Sequence, residues 1–224
     1  RDLWKSEALK WQERAHKLEE EIEALRKELS SGVVPVSPKG LELFTREMST
    51  PKQSLYECIL YAFEPQLLEN YLYVKRGIKS LRKLVSHFIL KEPSLFKKED
   101  LDGKIPEEYI KIVEDDNHPG GKAELLAFSH FYKCGIWKIE SDRDNFVTEY
   151  IARGKYERMI FLIQSKQKGE NKFSLMVGTH SRDKNPREDI RCFSTADNYV
   201  RNKVFNIIQE SRLELENFFT MSGE

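Results

Sequence analysis

Hydrophobic residues in the first part of the chain recur at alternating intervals of four and three, with charged residues between them. This spacing is typical of a coiled-coil helix, whose apolar seam faces a partner helix. Arg14 would face Glu19 of a parallel partner, and Glu21 would face Arg26. The pattern therefore predicts a self-associating coiled-coil helix over residues 1–30; the alternative is a single amphipathic helix packed on the body. The seam residues are Trp4, Ala8, Trp11, Ala15, Leu18, Ile22, Leu25 and Leu29.

The helical pattern ends at Ser30-Ser31-Gly32, and two prolines follow within residues 33–40. Proline lacks a backbone donor and restricts the residue before it, so this segment does not continue the helix. We expect an extended linker over residues 31–49, a folded domain over residues 50–195 and a C-terminal helix over residues 196–224 that packs on the domain.

The domain alternates helical and strand patterns. Apolar residues at helical spacing predict helices over Ser54–Phe63, Arg76–Lys91, Pro106–Val113, Lys122–Tyr132 and Asp197–Phe219. Short apolar runs predict strands over Gly135–Ile139, Met159–Ile163 and Phe173–Val177. The last two runs are almost wholly apolar, which favours strands buried on both faces. The order indicates an α+β or three-layer body.

Composition narrows the class of protein. The 224 residues include 37 Lys plus Arg and 37 Asp plus Glu, giving no net charge, and 39% are hydrophobic. The length suits one domain with an appendage, and no apolar run is long enough to span a bilayer. The balanced charge argues against nucleic acid as the partner. Cys58, Cys134 and Cys192 match no metal or disulfide spacing, so we expect free thiols in a reducing compartment, the cytoplasm or the nucleus.

Five ordered blocks in the domain resemble the ovarian tumour (OTU) family of deubiquitinating cysteine proteases. The most specific block is Gly120–Ser129, where the family carries Trp-Gly-Gly followed by Glu-Leu; here Pro119 stands in place of the Trp. The resemblance implies a papain-related α+β fold with a central β-sheet flanked by helices. The blocks are Ser54–Tyr56, Ser80–Val85, Glu108–Ile110, Gly120–Ser129 and Ile136–Ile139.

The catalytic residues of that family are replaced in this chain. Family members place a Cys nucleophile at a helix start within Asp-Gly-Asn-Cys-Leu-Phe, and a His on the last core strand within His-Tyr-Asp-Ser-Val. Here the first motif reads Pro-Lys-Gln-Ser-Leu-Tyr, with Ser54 at the Cys position. The second reads Asn-Lys-Phe-Ser-Leu-Met, with Asn171 or Lys172 at the His position. The comparison implies a pseudoenzyme, an OTU-like domain without catalytic residues.

A residual hydrolase remains an alternative. It would use Cys58 or Ser54 as the nucleophile and His180 as the base; otherwise Cys58 is a core cysteine and His180 a loop residue. This alternative requires a sulfur or oxygen within hydrogen-bond reach of an imidazole. No His, Cys, Asp or Glu spacing predicts a metal site, and no motif predicts a cofactor.

A second alternative is a nucleic-acid-binding adaptor. The segment Lys75–Lys83 carries five cations and follows Tyr71 and Tyr73, so it provides charges for phosphates, although a solvated helix face explains it equally. We favour a non-catalytic OTU-like scaffold that binds protein partners, ubiquitin among the candidates, and is oligomerised through residues 1–30. Because the chain starts at Arg1 without a signal peptide, we expect it to be part of a longer intracellular protein.

Overall fold

The structure is a computed structural model that describes residues 41–49, 51–141, 146–167, 169–180 and 189–221. The predicted coiled coil over residues 1–30 and the first part of the predicted linker lie outside the described residues. Among the described residues, no helix is both long enough and apolar enough to cross a membrane.

A mixed sheet of six strands forms the centre of the body. Its main strands lie in the order β1-β5-β4-β2-β3, and β6 pairs with the start of β4. β2 and β4 are parallel, whereas the other neighbours are antiparallel. The strands are β1 (Glu42–Glu47), β2 (Gly135–Ser141), β3 (Phe146–Ile151), β4 (Arg158–Gln167), β5 (Glu170–Thr179) and β6 (Phe193–Ser194).

In the part of the chain that the structure describes, five α-helices flank the sheet, and short 3-10 helices connect several of them. The α-helices are α1 (Ser54–Phe63), α2 (Tyr71–Lys91), α3 (Pro106–Val113), α4 (Lys122–Tyr132) and α5 (Asn198–Met221). The 3-10 helices are Pro51–Gln53, Pro65–Glu69, Pro93–Leu95 and Lys98–Leu101. The sequence predictions for α1, α3 and α4 agree with these bounds.

The helices lie in two layers, one on each face of the sheet. Ile160 and Leu162 of β4 pack into the cluster formed with α1, α2, α3 and α4. Met159 and Phe161, the alternate residues of the same strand, pack against Val200 and its neighbours on α5. Because successive side chains of a strand point to opposite faces, β4 is buried on both sides. This confirms the predicted α+β body, which has three layers, and Val200, Val204 and Ile208 of α5 pack on the sheet.

Three strands and one helix start differ from the sequence predictions; one of the strands is the two-residue β6. β1 occupies Glu42–Glu47, inside the segment predicted to be a linker, and pairs with β5 along its whole length. β3 was not predicted, and it forms the sheet edge beside β2. α2 starts at Tyr71 rather than Arg76, because the side chain of Asn70 caps it by accepting a hydrogen bond from the backbone of Leu72 at 2.9 Å.

Candidate functional site

Ser54 is the first residue of α1 and lies at the position that the sequence comparison assigns to the nucleophile. Its side chain is completely buried. The hydroxyl donates a hydrogen bond to the carbonyl oxygen of Pro51 at 2.7 Å and accepts one from the backbone N–H of Phe173 at 2.8 Å. Ser54 thus joins the turn before α1 to strand β5, and its hydroxyl proton is held by a backbone carbonyl.

Lys172 lies on β5, immediately before Phe173, at the position assigned to the catalytic histidine. Its ammonium nitrogen is 2.6 Å from Oε2 of Glu47 on β1. The other carboxylate oxygen of Glu47 accepts a hydrogen bond from the hydroxyl of Ser174 at 3.2 Å. Asn171, the other candidate for the histidine position, is half-buried and pairs in register with Lys166 of β4. This part of the site therefore contains an ion pair that links β1 to β5.

Cys58 and His180 lie apart from each other. Cys58 is fully buried in the core, one helical turn after Ser54. Burial raises the pKa of its thiol well above the ordinary value, and the nearby negative charges of Glu57 and Glu47 raise it further. His180 is exposed just beyond the far end of β5. At 3.3 Å per residue, it is about 26 Å along the strand from Lys172.

The turn before α4 is held by a buried carboxylate. Oε1 of Glu124 is 3.1 Å from Nε2 of His118, and Oε2 accepts hydrogen bonds from the backbone N–H of Gly121 at 2.7 Å and the hydroxyl of Tyr109 at 3.0 Å. Through its contact with Glu124, His118 helps to hold this turn in place, so its role here is structural.

The same turn packs closely on α1. Gly120 has a φ of +80°, a backbone conformation that favours glycine. A Cβ atom there would lie 2.6 Å from Cδ2 of Leu55, the residue after Ser54. The Gly-Gly pair of the most specific OTU-like block therefore positions the start of α1, where the candidate site lies.

The described residues contain no group of three His, Cys, Asp or Glu side chains that could hold a metal ion. His87 and His130 instead pack edge-on against Phe88, and His130 lies 3.9 Å from a carboxylate oxygen of Glu92.

Glu47 is a residue of the site that none of the predicted elements includes, because its segment reads as part of the linker. A signal was present: Leu43, Phe44 and Thr45, just before Glu47, include residue types that are enriched in strands. Pairing of this strand with β5 brings Glu47 next to Lys172. The contact joins residues 125 positions apart in the sequence, so no local pattern identifies the partner.

Comparison with known proteins identifies the fold. No protein-family model matches the chain, and no curated protein matches it significantly. Among solved structures, the chain is similar to an OTU domain in complex with ubiquitin, with a TM-score of 0.58, 16% sequence identity, and coverage of 79% of this chain and 89% of that one. The OTU domain of OTUD1 matches with a TM-score of 0.45, 15% identity, and coverage of 60% and 85%. The Hazara virus OTU bound to ubiquitin matches with a TM-score of 0.43, 16% identity, and coverage of 66% and 96%.

The body therefore has an OTU-like fold, as the sequence resemblance implied. At this level of identity the first match establishes the fold alone. The chemistry of the candidate site must be argued from Ser54, Lys172 and their neighbours.

Proposed function

We propose that this chain is a non-catalytic, OTU-like pseudo-deubiquitinase that acts as a protein-binding scaffold. The observation that carries the proposal is the buried hydroxyl of Ser54, which donates to one backbone carbonyl and accepts from one backbone amide. A nucleophile must reach its substrate and transfer its proton to a base. Ser54 does neither in this arrangement.

Loss of the base has a large effect on rate. A positioned general base contributes roughly 10²–10⁴-fold to a reaction of this kind. The protein atom that accepts the Ser54 proton is the carbonyl oxygen of Pro51, which is a very weak base. The ammonium group of Lys172, paired with Glu47, has no free electron pair to accept a proton. Because catalytic groups act as a unit, the loss of either one removes most of the acceleration.

The catalytic part of the proposal is tested with ubiquitin that carries a thiol-reactive group at its C-terminus, and with di-ubiquitin chains of each linkage. We expect no covalent adduct and no cleavage. An active OTU protease, incubated in parallel, shows that probe and chains are competent. An adduct on Cys58, located by peptide mass spectrometry, would contradict the proposal and favour the residual hydrolase. Cleavage of any chain, which would also reveal a nucleophilic Ser54, would do the same.

Ubiquitin is the first partner to test, because the similar OTU domain was solved in complex with it. A titration of isotope-labelled ubiquitin with this protein measures binding through chemical-shift changes and does not depend on catalysis. Saturable shifts on one face of ubiquitin would support ubiquitin as a partner. If no shifts appear, ubiquitin is excluded as a partner, and the scaffold serves other proteins.

The scaffold role also includes the predicted coiled coil over residues 1–30, which would present two or more bodies together. We place the protein inside the cell, in the cytoplasm or the nucleus. Fluorescence microscopy of the tagged full-length protein tests the location, and an extracellular pool would contradict it.

A further inference from the structure

α2 carries an unbalanced charge. Its 21 residues include six cations, no Asp and no Glu, although the whole chain is neutral. One of the six, Arg82, is buried, and Lys91 ends the helix. The other four are exposed and form no ion pair within the described part of the chain. We call them the α2 basic face: Lys75, Arg76, Lys79 and Lys83.

The arrangement of the α2 basic face works against the helix itself. Lys75, Lys79 and Lys83 are spaced four residues apart, so they lie on one side of the helix and repel one another. Like charges at this spacing destabilise a helix, and no carboxylate of α2 offsets them. An anionic partner would turn this repulsion into a favourable contact.

A cavity of about 250 Å³ adjoins the same face. Leucine side chains form much of its wall. Arg76 belongs to the α2 basic face and also lines the cavity. Gly77 lines it too, where a Cβ atom would approach the methyl groups of Leu60 to 3.0 Å. The cavity is smaller than the sites that hold drug-sized ligands, and it suits a single side chain. Its lining residues are Leu60, Glu64, Leu67, Tyr73, Arg76, Gly77, Ser80 and Leu81.

The one carboxylate of the cavity limits what can enter. Glu64 lines the opening, and its carboxylate accepts a hydrogen bond from the hydroxyl of Tyr132 at 2.8 Å. A second carboxylate inside would be repelled, and the leucine-rich wall favours an apolar side chain as the occupant. Tyr71, Leu72 and Tyr73 begin the helix with 78%, 61% and 49% of their surfaces exposed, and they extend this apolar area.

We propose that the α2 basic face and the adjoining cavity bind an extended acidic peptide segment of a protein partner, with one apolar side chain anchored in the cavity. Residues four apart on a helix are about 6 Å apart along its axis. Alternate residues of an extended peptide are about 6.6 Å apart. Carboxylates at every second position of the peptide thus match Lys75, Lys79 and Lys83. Nucleic acid would also contact the cations, but every base carries polar ring atoms that a leucine-lined cavity would leave without hydrogen bonds.

This binding surface goes beyond the proposed function and does not depend on Ser54. Ser54 begins α1, whereas Glu64 follows its last residue, about 15 Å further along the helix axis. The ubiquitin and activity-probe experiments can therefore contradict the proposed function without affecting this proposal. Likewise, a negative result for the acidic peptide leaves the proposed function unaffected.

The test uses fluorescence anisotropy with the whole chain and labelled peptides of about twelve residues. In the first peptide Glu alternates with Ser and one central residue is Phe; the second has Ala in place of Phe, and the third has Lys in place of every Glu. A labelled single-stranded oligouridylate of similar length tests nucleic acid as the alternative ligand. We expect the first peptide to bind, the second to bind about tenfold more weakly, and the third not to bind.

Two variants assign the binding to this surface. Lys75→Glu with Lys79→Glu reverses two exposed charges, and Ser80→Trp fills the cavity opening; we expect each to weaken the first peptide by at least about tenfold. The matched control, Lys98→Glu with Lys111→Glu, makes the same charge change on other elements and should leave binding unchanged. If circular dichroism shows that the charge reversal impairs folding, the variant Lys75→Gln with Lys79→Gln is used in its place.

Three results would overturn the proposal. The first is no saturable binding of the Phe peptide at low salt. The second is equal loss of binding in the Lys98 and Lys111 control, which would indicate an effect of net charge alone. The third is tighter binding of the oligouridylate than of the Phe peptide, unaffected by Ser80→Trp, which would assign the face to nucleic acid.

Discussion

The backbone N–H of Phe173 donates a hydrogen bond to the hydroxyl of Ser54 across 119 positions of sequence, at 2.8 Å. This bond joins the first turn of α1 to β5 at the place where the OTU-like motifs would bring a nucleophile and a base together. The serine at this point therefore has a structural role that accounts for its burial without chemistry.

Replacement of Ser54 by Ala should lower stability. The change leaves the buried N–H of Phe173 without its acceptor, and an unsatisfied buried polar group costs about 1–3 kcal/mol. Equilibrium unfolding in urea measures the loss. The matched control is Ser86→Ala: the hydroxyl of this buried serine has no hydrogen-bond partner among the residues that the structure describes. Its removal should be neutral or slightly stabilising, and equal losses in both variants would contradict the role assigned to Ser54.

Arg82 holds the loop after α3 against the helices. Its guanidinium lies 4.1 Å from the centre of the Tyr56 ring and donates hydrogen bonds to the carbonyls of Val113, Asp116 and His118 at 2.8, 3.2 and 2.8 Å. The side chain is 2% exposed. Arg82 thereby connects α1, α2 and the turn that precedes α4.

Arg82→Lys should destabilise the body strongly despite keeping the charge. A lysine ammonium group cannot reproduce the planar guanidinium group, whose N–H groups donate to three separate carbonyls. Each hydrogen bond to a charged group contributes about 1.5–3 kcal/mol. Urea unfolding measures the effect. Lys83→Met, a change at the adjacent exposed position, should stay within about 0.5 kcal/mol of the parent. A small effect at Arg82 would show that the loop is held by other contacts.

Sequence reasoning found the elements whose patterns are local. The apolar spacing of α4 and the apolar run Met159–Ile163 depend only on neighbouring residues. α4 has the predicted bounds, and β4 contains the predicted run but extends from Arg158 to Gln167. The three-layer arrangement followed because β4 and β5 are apolar on both faces. The motif replacements also placed Ser54 and Lys172 on two neighbouring elements.

Several features that the sequence did not predict depend on contacts between residues far apart in the chain. β1 is an edge strand whose neighbour β5 comes more than a hundred positions later, so its short pattern gave no hint of a partner. Arg82 was counted among the exposed cations, because periodicity alone does not show that the carbonyls of the α3–α4 loop surround it. The same limit hid the ion pair between Glu47 and Lys172.

Thiol reactivity provides a separate test of the displaced-nucleophile alternative. Burial and the charges of Glu57 and Glu47 raise the pKa of Cys58, so its thiolate population near neutral pH is very small. The pKa of Cys192 is lowered by a hydrogen bond with Cys134 and by the charges of Arg158 and Arg191, which outweigh its desolvation.

Brief alkylation of the folded protein with iodoacetamide at neutral pH should therefore label Cys192 before Cys58. Peptide mass spectrometry gives the extent of reaction at each site, and the same reaction in urea, where the environments are lost, should remove the difference. Fast labelling of Cys58 in the folded state would contradict its assignment as a core residue.

The pH dependence of stability should include Glu149. Partial burial raises the pKa of this carboxyl group, but hydrogen bonds and charges from Lys122 and Lys138 outweigh that effect, so its pKa lies below the usual value. The ammonium groups lie 2.8 and 3.4 Å from its oxygens. A carboxyl group whose pKa is lowered by folding stabilises the protein above its unfolded pKa, about 4.3, and this contribution is lost as the pH falls through the folded value.

Glu149→Gln should thus destabilise the protein more at pH 7 than at pH 3. Because the side chain is 34% exposed, solvent screening limits the difference to about 1 kcal/mol or less. Urea unfolding at several pH values measures it. Glu157→Gln, at an exposed position without an ion pair in the described part of the chain, should show no such trend. A constant difference across the pH range would contradict the ion-pair explanation.

The heptad seam predicts how the whole chain associates. Ile22 and Leu18 occupy neighbouring core positions of the predicted coiled coil, where a partner helix would bury them. Leu18→Lys with Ile22→Lys places two charges in that interface and should convert a dimer into a monomer, as measured by light scattering coupled to size-exclusion chromatography. Glu20→Lys with Glu23→Lys, at positions outside the seam, adds equivalent cations and should leave the mass unchanged. A monomeric parent chain at micromolar concentration would show that residues 1–30 do not self-associate, and the amphipathic-helix alternative would then replace the coiled coil.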